Sequence, residues 1–239
     1  SRGIGKGIAE VFASQGANIA FTYRSSDKKA KALELELAAN GCKAKGYKSD
    51  ASNFEAAQQL AADVMEEFGS IDVLVNNAGI TKDGLIMRMS EEDFDSVMDI
   101  NMKSVFNMTK AVLPTMLKQR KGSIINITSL AAERGFIGNS AYQVSKAGLK
   151  QLTKALACDW GQKNIRINNV CPGYIKTPMT MKSYKNPKLK KIRDSRMILQ
   201  RWGQPKDLIG PSIFLASDSS SYITGSDIFV DGGWLTKGM

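Results

Sequence analysis

Tyr142 and Lys146 are the two side chains of this sequence best placed to move a proton. They are four residues apart in a segment, 141–161, whose hydrophobic spacing predicts a helix. Residues at positions i and i+4 share one helix face, so the phenol and the ammonium point the same way. A nearby cation favours the phenolate and lowers the pKa of tyrosine from about 10 toward neutral pH. The pair therefore predicts a tyrosine that donates or accepts a proton during a reaction.

A second pair, Tyr184 and Lys188, has the same spacing. Pro187 lies inside it and disfavours a helix, so these two side chains need not share a face. Proton chemistry by tyrosine and lysine also fits the composition, because the 239 residues contain no histidine. This excludes His-based catalytic triads, histidine metal sites and histidine pH switches, and the sequence predicts no metal site.

Strand-like and helix-like segments alternate along the chain. The predicted strands are 17–23, 42–48, 71–75, 123–128, 165–170 and 226–230. The predicted helices are 28–40, 53–68, a long helix opened by Ser90, 141–161 and a helix after Pro205. This alternation predicts an α/β fold with a parallel sheet. No linker divides the chain, so we expect one domain, 1–239.

Three of the predicted strands end in turns that suit a ligand. The segment 76–79, the hydroxyl of Ser129 and the pair Pro172-Gly173 each follow a strand. The carboxyl ends of parallel strands meet at one edge of a sheet, where α/β folds bind their ligands. We therefore expect these turns to form one crevice, with Tyr142 at its side.

The first residues and Arg24 suggest a dinucleotide. Gly3, Gly5 and Gly7 precede an amphipathic segment, and glycines at a helix N-terminus let the backbone approach a phosphate. The spacing is not GxGxxG, because Ile8 occupies the last position. Arg24 follows a predicted strand, where an acid would bind a ribose 2′-OH and an arginine accepts a 2′-phosphate. This favours NADP(H) over NAD(H); the alternative is that Arg24 is a solvated loop charge.

Charge is concentrated in one segment. The chain has 33 Lys and Arg against 23 Asp and Glu, a formal net charge of +10. Residues 182–201 hold eight cations and one acid, Asp194, and so contribute +7 of that charge. We expect this basic insert, at about 178–203, to be exposed. Because the cations cluster in one insert, a nucleic-acid partner is disfavoured.

Cysteine usage and hydropathy bear on location. Cys42, Cys158 and Cys171 form no CxxC pair, and an odd number argues against a disulfide framework. This favours a reducing, cytoplasmic setting. Apolar runs such as 124–127 are too short to span a bilayer, and no signal-peptide pattern is present. We therefore expect no membrane contact.

Together these motifs resemble those of the short-chain dehydrogenase/reductase family over essentially the whole chain. The resemblance rests on Ser1-Arg-Gly-Ile-Gly5, Asn76-Asn-Ala-Gly79, Asn101, Ser129, Tyr142 with Lys146, Pro172-Gly173 and Val230-Asp-Gly-Gly233. It implies a single-domain, doubly wound Rossmann fold with helices on both faces of the sheet. It also implies an NAD(P)-dependent oxidoreductase that acts on CH–OH groups.

The resemblance assigns catalytic roles to individual residues. Tyr142 would donate or accept the proton on the substrate oxygen, and Ser129 would hydrogen-bond that oxygen. Lys146 would bind the nicotinamide ribose and lower the pKa of Tyr142. Asn101 would hold a water for the proton relay.

The resemblance also places cofactor contacts. They are implied at Ser1, Arg2, Ile4, Arg24, Asp50, Ala51, Asn77, Gly79, Tyr142, Lys146 and Ile175. Asp50 and Ala51 would border the adenine, and Ile175 would approach the nicotinamide carboxamide. Because Ser1 falls inside the family's phosphate loop, we expect a strand and a Thr-Gly pair to precede it.

Two substrate classes are consistent with the sequence. Residues 16–128 resemble 3-oxoacyl-[acyl-carrier-protein] reductases, which act on thioesters held by an acidic carrier protein. Arg120 and Lys163 fall where that resemblance implies carrier-protein docking, or they are solvated surface charges. The segment 201–205 and the tail 234–239 resemble gluconate 5-dehydrogenases and related sugar-acid or polyol dehydrogenases. The basic insert lies at the family's substrate lid, where its cations suit a phosphopantetheine or a sugar carboxylate.

Assembly is a further implication of the resemblance. The helices predicted at 90–119 and 141–161 correspond to those that form a four-helix dimer interface in the family, so we expect a homotetramer. A catalytically inactive nucleotide-sensing or nucleic-acid-binding protein is a third possibility. The intact set of Asn101, Ser129, Tyr142 and Lys146 argues against it.

Overall fold

Parallel β-strands alternate with α-helices along residues 2–237, the part of the chain that this computed structural model describes. The strands are β1 (Ile19–Tyr23), β2 (Ala44–Lys48), β3 (Val73–Asn76), β4 (Gly122–Ile127), β5 (Ile165–Pro172) and β6 (Asp227–Val230). The helices are α1 (Gly3–Ser14), α2 (Asp27–Ala38), α3 (Phe54–Phe68), α4 (Glu91–Met98), α5 (Ser104–Gln119), α6 (Ser140–Trp160), α7 (Met181–Lys185), α8 (Pro187–Arg196) and α9 (Ile209–Ala216). The predicted α/β fold is confirmed, and each predicted strand is found within a few residues of its expected bounds.

The strands form two parallel sheets. One contains β1 and β2, and the other has the order β3-β4-β5-β6. Within residues 2–237, one edge of β1 and one edge of β3 have no strand partner. The parallel sheet that we expected is therefore divided into two between β1 and β3. The catalytic candidates belong to the four-stranded sheet.

The four-stranded sheet is covered on both faces because its central strands are apolar throughout. All residues of β4 are buried. Successive side chains point to opposite faces of a strand. Ile124 accordingly packs with residues of α3, α5 and α6, whereas Ile125 packs with residues of α1 and α9. This sandwich fixes α6, which carries Tyr142 and Lys146, over the carboxyl half of the sheet.

Capping side chains set the helix starts that the sequence predicted. The Asn53 side chain accepts a hydrogen bond from the backbone N–H of Ala56 at the start of α3. The Ser90 side chain accepts one from the backbone N–H of Asp93 at the start of α4. The helix opened by Ser90 is interrupted, however. Residues 99–103 form a π-helical segment between α4 and α5, which the sequence did not predict.

Candidate active site

The site is built around Tyr142, in the first turn of α6, and Ser129, which follows β4. Burial raises the pKa of the Tyr142 phenol, and the nearby Ser129 hydroxyl opposes part of that rise. The Ser129 oxygen also accepts from the backbone N–H of Ala131 at 3.1 Å, which fixes its position at the start of a short 3₁₀ turn. The structure therefore brings together the two hydroxyls that the sequence placed on a substrate oxygen.

Lys146 lies one turn further along α6 and is almost fully buried. Its Nζ donates to the backbone carbonyl of Ile127 at 2.8 Å and lies 5.7 Å from the centroid of the Tyr142 ring. Burial lowers the pKa of Lys146 to about 8. The predicted lowering of the Tyr142 pKa by Lys146 is not observed, because desolvation of the phenol dominates and raises that pKa instead.

Asn101 explains the π-helical segment. Its Oδ1 accepts from the backbone N–H of Ile80 at 2.8 Å, and its Nδ2 donates to the Ile80 carbonyl at 3.0 Å and to Ser145 Oγ at 2.9 Å. A fully buried amide thus ties the loop after β3 to α6. Gly79 lies in that loop, and a Cβ built on it would be 3.4 Å from Asn101 Oδ1 and 3.5 Å from Lys146 Nζ. The predicted water-holding role of Asn101 stays a prediction.

The N-terminus of α1 fits a dinucleotide phosphate. No acidic residue lies in its first turn, so its free backbone N–H groups and helix dipole favour an anion. A Cβ on Gly5 would lie 2.6 Å from Asn77 Nδ2, so a larger residue at this position would displace the Asn77 side chain, which follows β3. Arg2 is exposed beside this turn and Ile4 lies within it. Ser1, the remaining predicted contact here, lies outside the described residues.

The predicted adenine side is organised by polar contacts. Arg24 forms a salt bridge of 3.2 Å with Asp50, and both side chains are exposed. Hydrogen bonds from Ser52, together with the Arg24 charge, lower the pKa of Asp50. Asn107, which sequence analysis missed, donates from α5 to the carbonyls of Ala51 and Ser52 at 3.0 and 3.1 Å. The sequence does contain a signal for Asn107, because an asparagine among the apolar residues of a predicted helix indicates a buried polar contact.

Ile175 follows β5, and its predicted approach to a nicotinamide carboxamide stays a prediction. Its side chain is 3% exposed and belongs to the apolar cluster beneath α1 and α9. Its carbonyl accepts a hydrogen bond from Thr180 Oγ1. Only its backbone is thus left for the predicted approach to a nicotinamide carboxamide.

The end of β5 makes a close approach that glycine alone permits. A Cβ on Gly173 would lie 2.6 Å from the Asp231 Cα and 3.1 Å from its carbonyl oxygen. The carboxylate of Asp231 in turn accepts from the backbone N–H groups of Gly233 and Leu235 at 2.8 and 2.9 Å. The Pro172-Gly173 turn and the Asp231-Gly-Gly segment therefore form one packed unit at the carboxyl edge.

We expect Gly173→Ala to destabilise the protein by about 2 kcal/mol, because overpacking against rigid backbone usually costs about 1–3 kcal/mol. Gly161→Ala is the matched control, since a Cβ there would meet nothing within 4 Å and the backbone is helical, with φ of −58°. Urea unfolding of both variants measures the difference. Equal midpoints for the two would contradict the close approach.

The basic insert is folded against an aromatic cluster. Tyr174, Tyr184, Trp202 and Trp234 pack together, with ring centroids 5.1–6.3 Å apart. The Arg193 guanidinium lies 4.5 Å from the Tyr174 ring centroid, which anchors α8 by a cation–π contact. Four lysines of α7 and α8 remain exposed on the outer side: Lys182, Lys185, Lys188 and Lys191.

Two further predictions concern lysines and arginines away from the crevice. Tyr184 lies in α7 and Lys188 in α8, so the second tyrosine–lysine pair does not share a helix face.

Arg120 and Lys163 are both exposed. The Arg120 carbonyl accepts from the side chain of Asn164 at 2.9 Å, so the two predicted docking cations lie on adjoining segments.

Three comparisons place this geometry among known proteins. A family model described as "Enoyl-(Acyl carrier protein) reductase" matches residues 1–235. The 3-oxoacyl-[acyl-carrier-protein] reductase of Staphylococcus epidermidis is 42% identical over 98% of this chain and 95% of its own length. The reductase of the same name from Thermotoga maritima is 42% identical over 97% of this chain and 93% of its own.

Solved structures add a second likeness. A gluconate 5-dehydrogenase from Burkholderia cenocepacia, solved in complex with NADP and tartrate, superposes with a TM-score of 0.95 at 31% identity. The match covers 99% of this chain and 92% of that one.

Within residues 2–237, no helix combines the length and apolar character needed to cross a membrane. The chain belongs to the short-chain dehydrogenase/reductase family and is an NAD(P)-dependent oxidoreductase acting on alcohol or carbonyl groups.

Proposed function

We propose that this protein reduces a 3-oxoacyl thioester held by an acyl carrier protein to the 3-hydroxyacyl form, with NADPH as the reductant. The observation that carries the proposal is the group of Ser129, Tyr142 and the buried Lys146, which lies at the same sheet edge as the basic insert. The relatives from Staphylococcus epidermidis and Thermotoga maritima are named for this activity, and each matches nearly the whole chain.

The proton chemistry follows from the burial of Tyr142. The N-terminus of α1 and the strand ends would hold the dinucleotide, which would supply the hydride for the carbonyl carbon. The pKa of the phenol is raised above its ordinary value of about 10, so at neutral pH Tyr142 holds the proton that the carbonyl oxygen must receive. Ser129 donates a hydrogen bond to the same oxygen and stabilises the developing negative charge. The Lys146 ammonium, 5.7 Å from the phenol ring centroid, stabilises the phenolate left behind.

The partner surface is basic. Four lysines on α7 and α8 are exposed, and Arg120 and Lys163 form a second basic site. Acyl carrier proteins are acidic, so opposite charge speeds their encounter with such a surface. We assign the recognition of the carrier protein to these two sites.

The alternative is a sugar-acid or polyol dehydrogenase. The observation in its favour is the packing of the tail, where Trp234 is buried against Phe136 and Tyr174 beside the lid. A gluconate 5-dehydrogenase shares the whole fold. In this case the cations of the insert would hold a sugar carboxylate.

The direct experiment compares both substrate classes on one preparation. NADPH oxidation is followed with a 3-oxoacyl carrier-protein substrate and with a small acetoacetyl thioester, and NADP⁺ reduction is followed with gluconate. We expect thioester turnover to exceed gluconate turnover by at least about 100-fold in kcat/KM, since a mismatched polar substrate leaves site groups unpaired. Gluconate turnover without thioester turnover would replace the proposal by the alternative.

The preference for NADP(H) depends on Arg24. Replacing Arg24 by Gln should raise the KM for NADPH about tenfold, because a hydrogen bond to a charged group contributes about 1.5 kcal/mol or more. Kinetics with NADH on the same variant provide the control, since NADH has no 2′-phosphate. Equal losses with both cofactors would show that Arg24 does not discriminate between them.

We also propose a cytoplasmic homotetramer that uses α4–α5 and α6 as its main interface. Phe106 on α5 and Val144 on α6 are about half exposed, as expected of apolar side chains that a partner covers. The three cysteines are free thiols, and burial raises the pKa of Cys171 to about 12, which keeps that thiol unreactive. Light scattering that gives a monomer mass would refute the assembly.

A further inference from the structure

A row of polar side chains crosses the four-stranded sheet. Asn76, Asn126, Asn169 and Asp227 are register partners on β3, β4, β5 and β6, so their side chains lie on one face of the sheet. We call these four residues the polar row. Asn126 and Asn169 are fully buried, and Asn126 lies between two isoleucines of its own strand. Buried amides in such a place are costly unless each is hydrogen-bonded.

The hydrogen bonds of the polar row run in one direction. Asn76 Nδ2 donates to Asn126 Oδ1 at 2.8 Å, and Asn126 Nδ2 donates to Thr153 Oγ1 of α6 at 2.8 Å. Thr153 donates to Asn169 Oδ1 at 2.7 Å, and Asn169 Nδ2 donates to Asp227 Oδ1 at 2.7 Å. Each donor points toward the Asp227 carboxylate, and aligned bonds of this kind strengthen one another.

The chain of bonds continues from Asp227 to the catalytic loop. Lys150 Nζ forms a salt bridge of 3.1 Å with Asp227 Oδ2 and a second one with Glu133. All three side chains are less than one third exposed. Burial disfavours the charge on Lys150, but the hydrogen bonds with Glu133 and Asp227 outweigh this effect and raise its pKa. Lys150 is therefore a stable cation that joins two carboxylates.

The position of Glu133 connects Lys150 to the reaction. Glu133 follows directly on the 3₁₀ turn Leu130–Ala132, which Ser129 caps. Lys150 lies one helical turn beyond Lys146 on α6 and two beyond Tyr142, so it shares their face of the helix. The salt bridge thus joins the loop that carries Ser129 to the helix that carries Tyr142.

We infer that Lys150, held in place by Asp227 and the polar row, is a positioning residue that fixes the Ser129 loop against Tyr142 through Glu133. The inference rests on the proposed oxidoreductase chemistry, because its effect is on the geometry of the two hydroxyls. Lys150 itself does not touch the substrate oxygen. Its role is to hold Ser129 in place relative to Tyr142 while the proton moves.

A purely structural salt bridge predicts a different result. A salt bridge that only stabilises the fold leaves kcat unchanged at temperatures where the protein is folded. Loss of positioning lowers kcat instead, since misplacement by about 1 Å can cost about 100-fold in rate. A positioning role and a purely structural role can therefore be distinguished by measuring kcat, the Kd for NADPH and the hydrogen-exchange protection of the Ser129 loop.

The test uses Lys150→Met, Lys150→Arg and a matched control, Lys154→Met. Lys154 lies one turn further along α6 and is exposed. We expect Lys150→Met to lower kcat about tenfold while the Kd for NADPH changes less than twofold, with Lys150→Arg restoring at least half of the loss. Lys154→Met should keep the kcat of the parent protein.

Hydrogen exchange provides a readout that does not need turnover. In Lys150→Met, amides of 129–139 should exchange at least about fivefold faster, whereas those of 142–153 should be unchanged. Unchanged exchange in 129–139, or a kcat equal to that of the parent protein, would overturn the positioning role. If the parent protein turns over neither thioester nor gluconate, the proposed function fails, and exchange alone then decides the role of Lys150.

Discussion

Replacing Tyr142 by Phe should lower kcat by roughly 1,000-fold, within the range of about 100- to 10,000-fold that a positioned general acid contributes. The substitution removes the hydroxyl that lies near Ser129 and keeps the aromatic ring. NADPH oxidation under saturating substrate measures the loss. Titration of the variant with NADPH, followed by cofactor fluorescence, should give a Kd within about threefold of the parent value.

The matched control is Tyr184→Phe. Tyr184 has a lysine at the same spacing, but its ring centroid lies 5.2 Å from that of Trp202, in the aromatic cluster against which the basic insert folds. Its hydroxyl has no assigned part in proton transfer, so kcat should fall less than about threefold. Comparable losses in both variants would show that packing of the phenols, not proton transfer by Tyr142, limits the reaction.

The sequence predicted the strands well because each is a short apolar run bounded by turn residues. β4 illustrates this, since Ile124 and Ile125 face opposite sides and both are fully buried. Proximity of the strand ends followed from the parallel order, and Ser129 and Tyr142 do meet there. These features depend on local patterns, which a single sequence contains.

Other features depend on tertiary contacts and were missed for that reason. The π-helical segment at 99–103 follows from the bonds of Asn101 to Ile80 and Ser145, which are distant in sequence. The predicted direction of the pKa shift of Tyr142 was wrong, because the spacing of Tyr142 and Lys146 indicates a nearby charge but not how strongly the phenol is desolvated. The polar row had a visible signal, asparagines inside apolar strands, but its partners are set by register.

Replacing Lys146 by Met should abolish most turnover and change how stability depends on pH. Removing one preorganised donor from an active site usually costs about 100- to 1,000-fold in kcat. The stability effect follows from the pKa of Lys146, which burial lowers from 10.5 to about 8 in the folded protein. Below pH 8 the folded protein must hold a buried ammonium, and this costs about 3 kcal/mol relative to the neutral amine.

The sign of the pH dependence is determined by which state binds the proton. Between about pH 8 and pH 10.5 the unfolded chain holds the Lys146 proton and the folded protein does not. Stability of the parent protein therefore rises with pH across this window. The variant lacks this contribution, so its free energy of unfolding minus that of the parent should fall by about 3 kcal/mol from pH 7 to pH 10.5.

Urea unfolding of the parent protein and Lys146→Met at several pH values measures this difference. All other titrating groups are common to both proteins, so their contributions cancel in the subtraction. Lys154→Met is the control for the removal of a lysine from α6, because Lys154 is exposed. A Lys146→Met difference that is constant from pH 7 to pH 10.5 would mean that Lys146 titrates normally in the fold. The expected slope would instead show that the fold keeps a charge that opposes its stability, as sites shaped by function do.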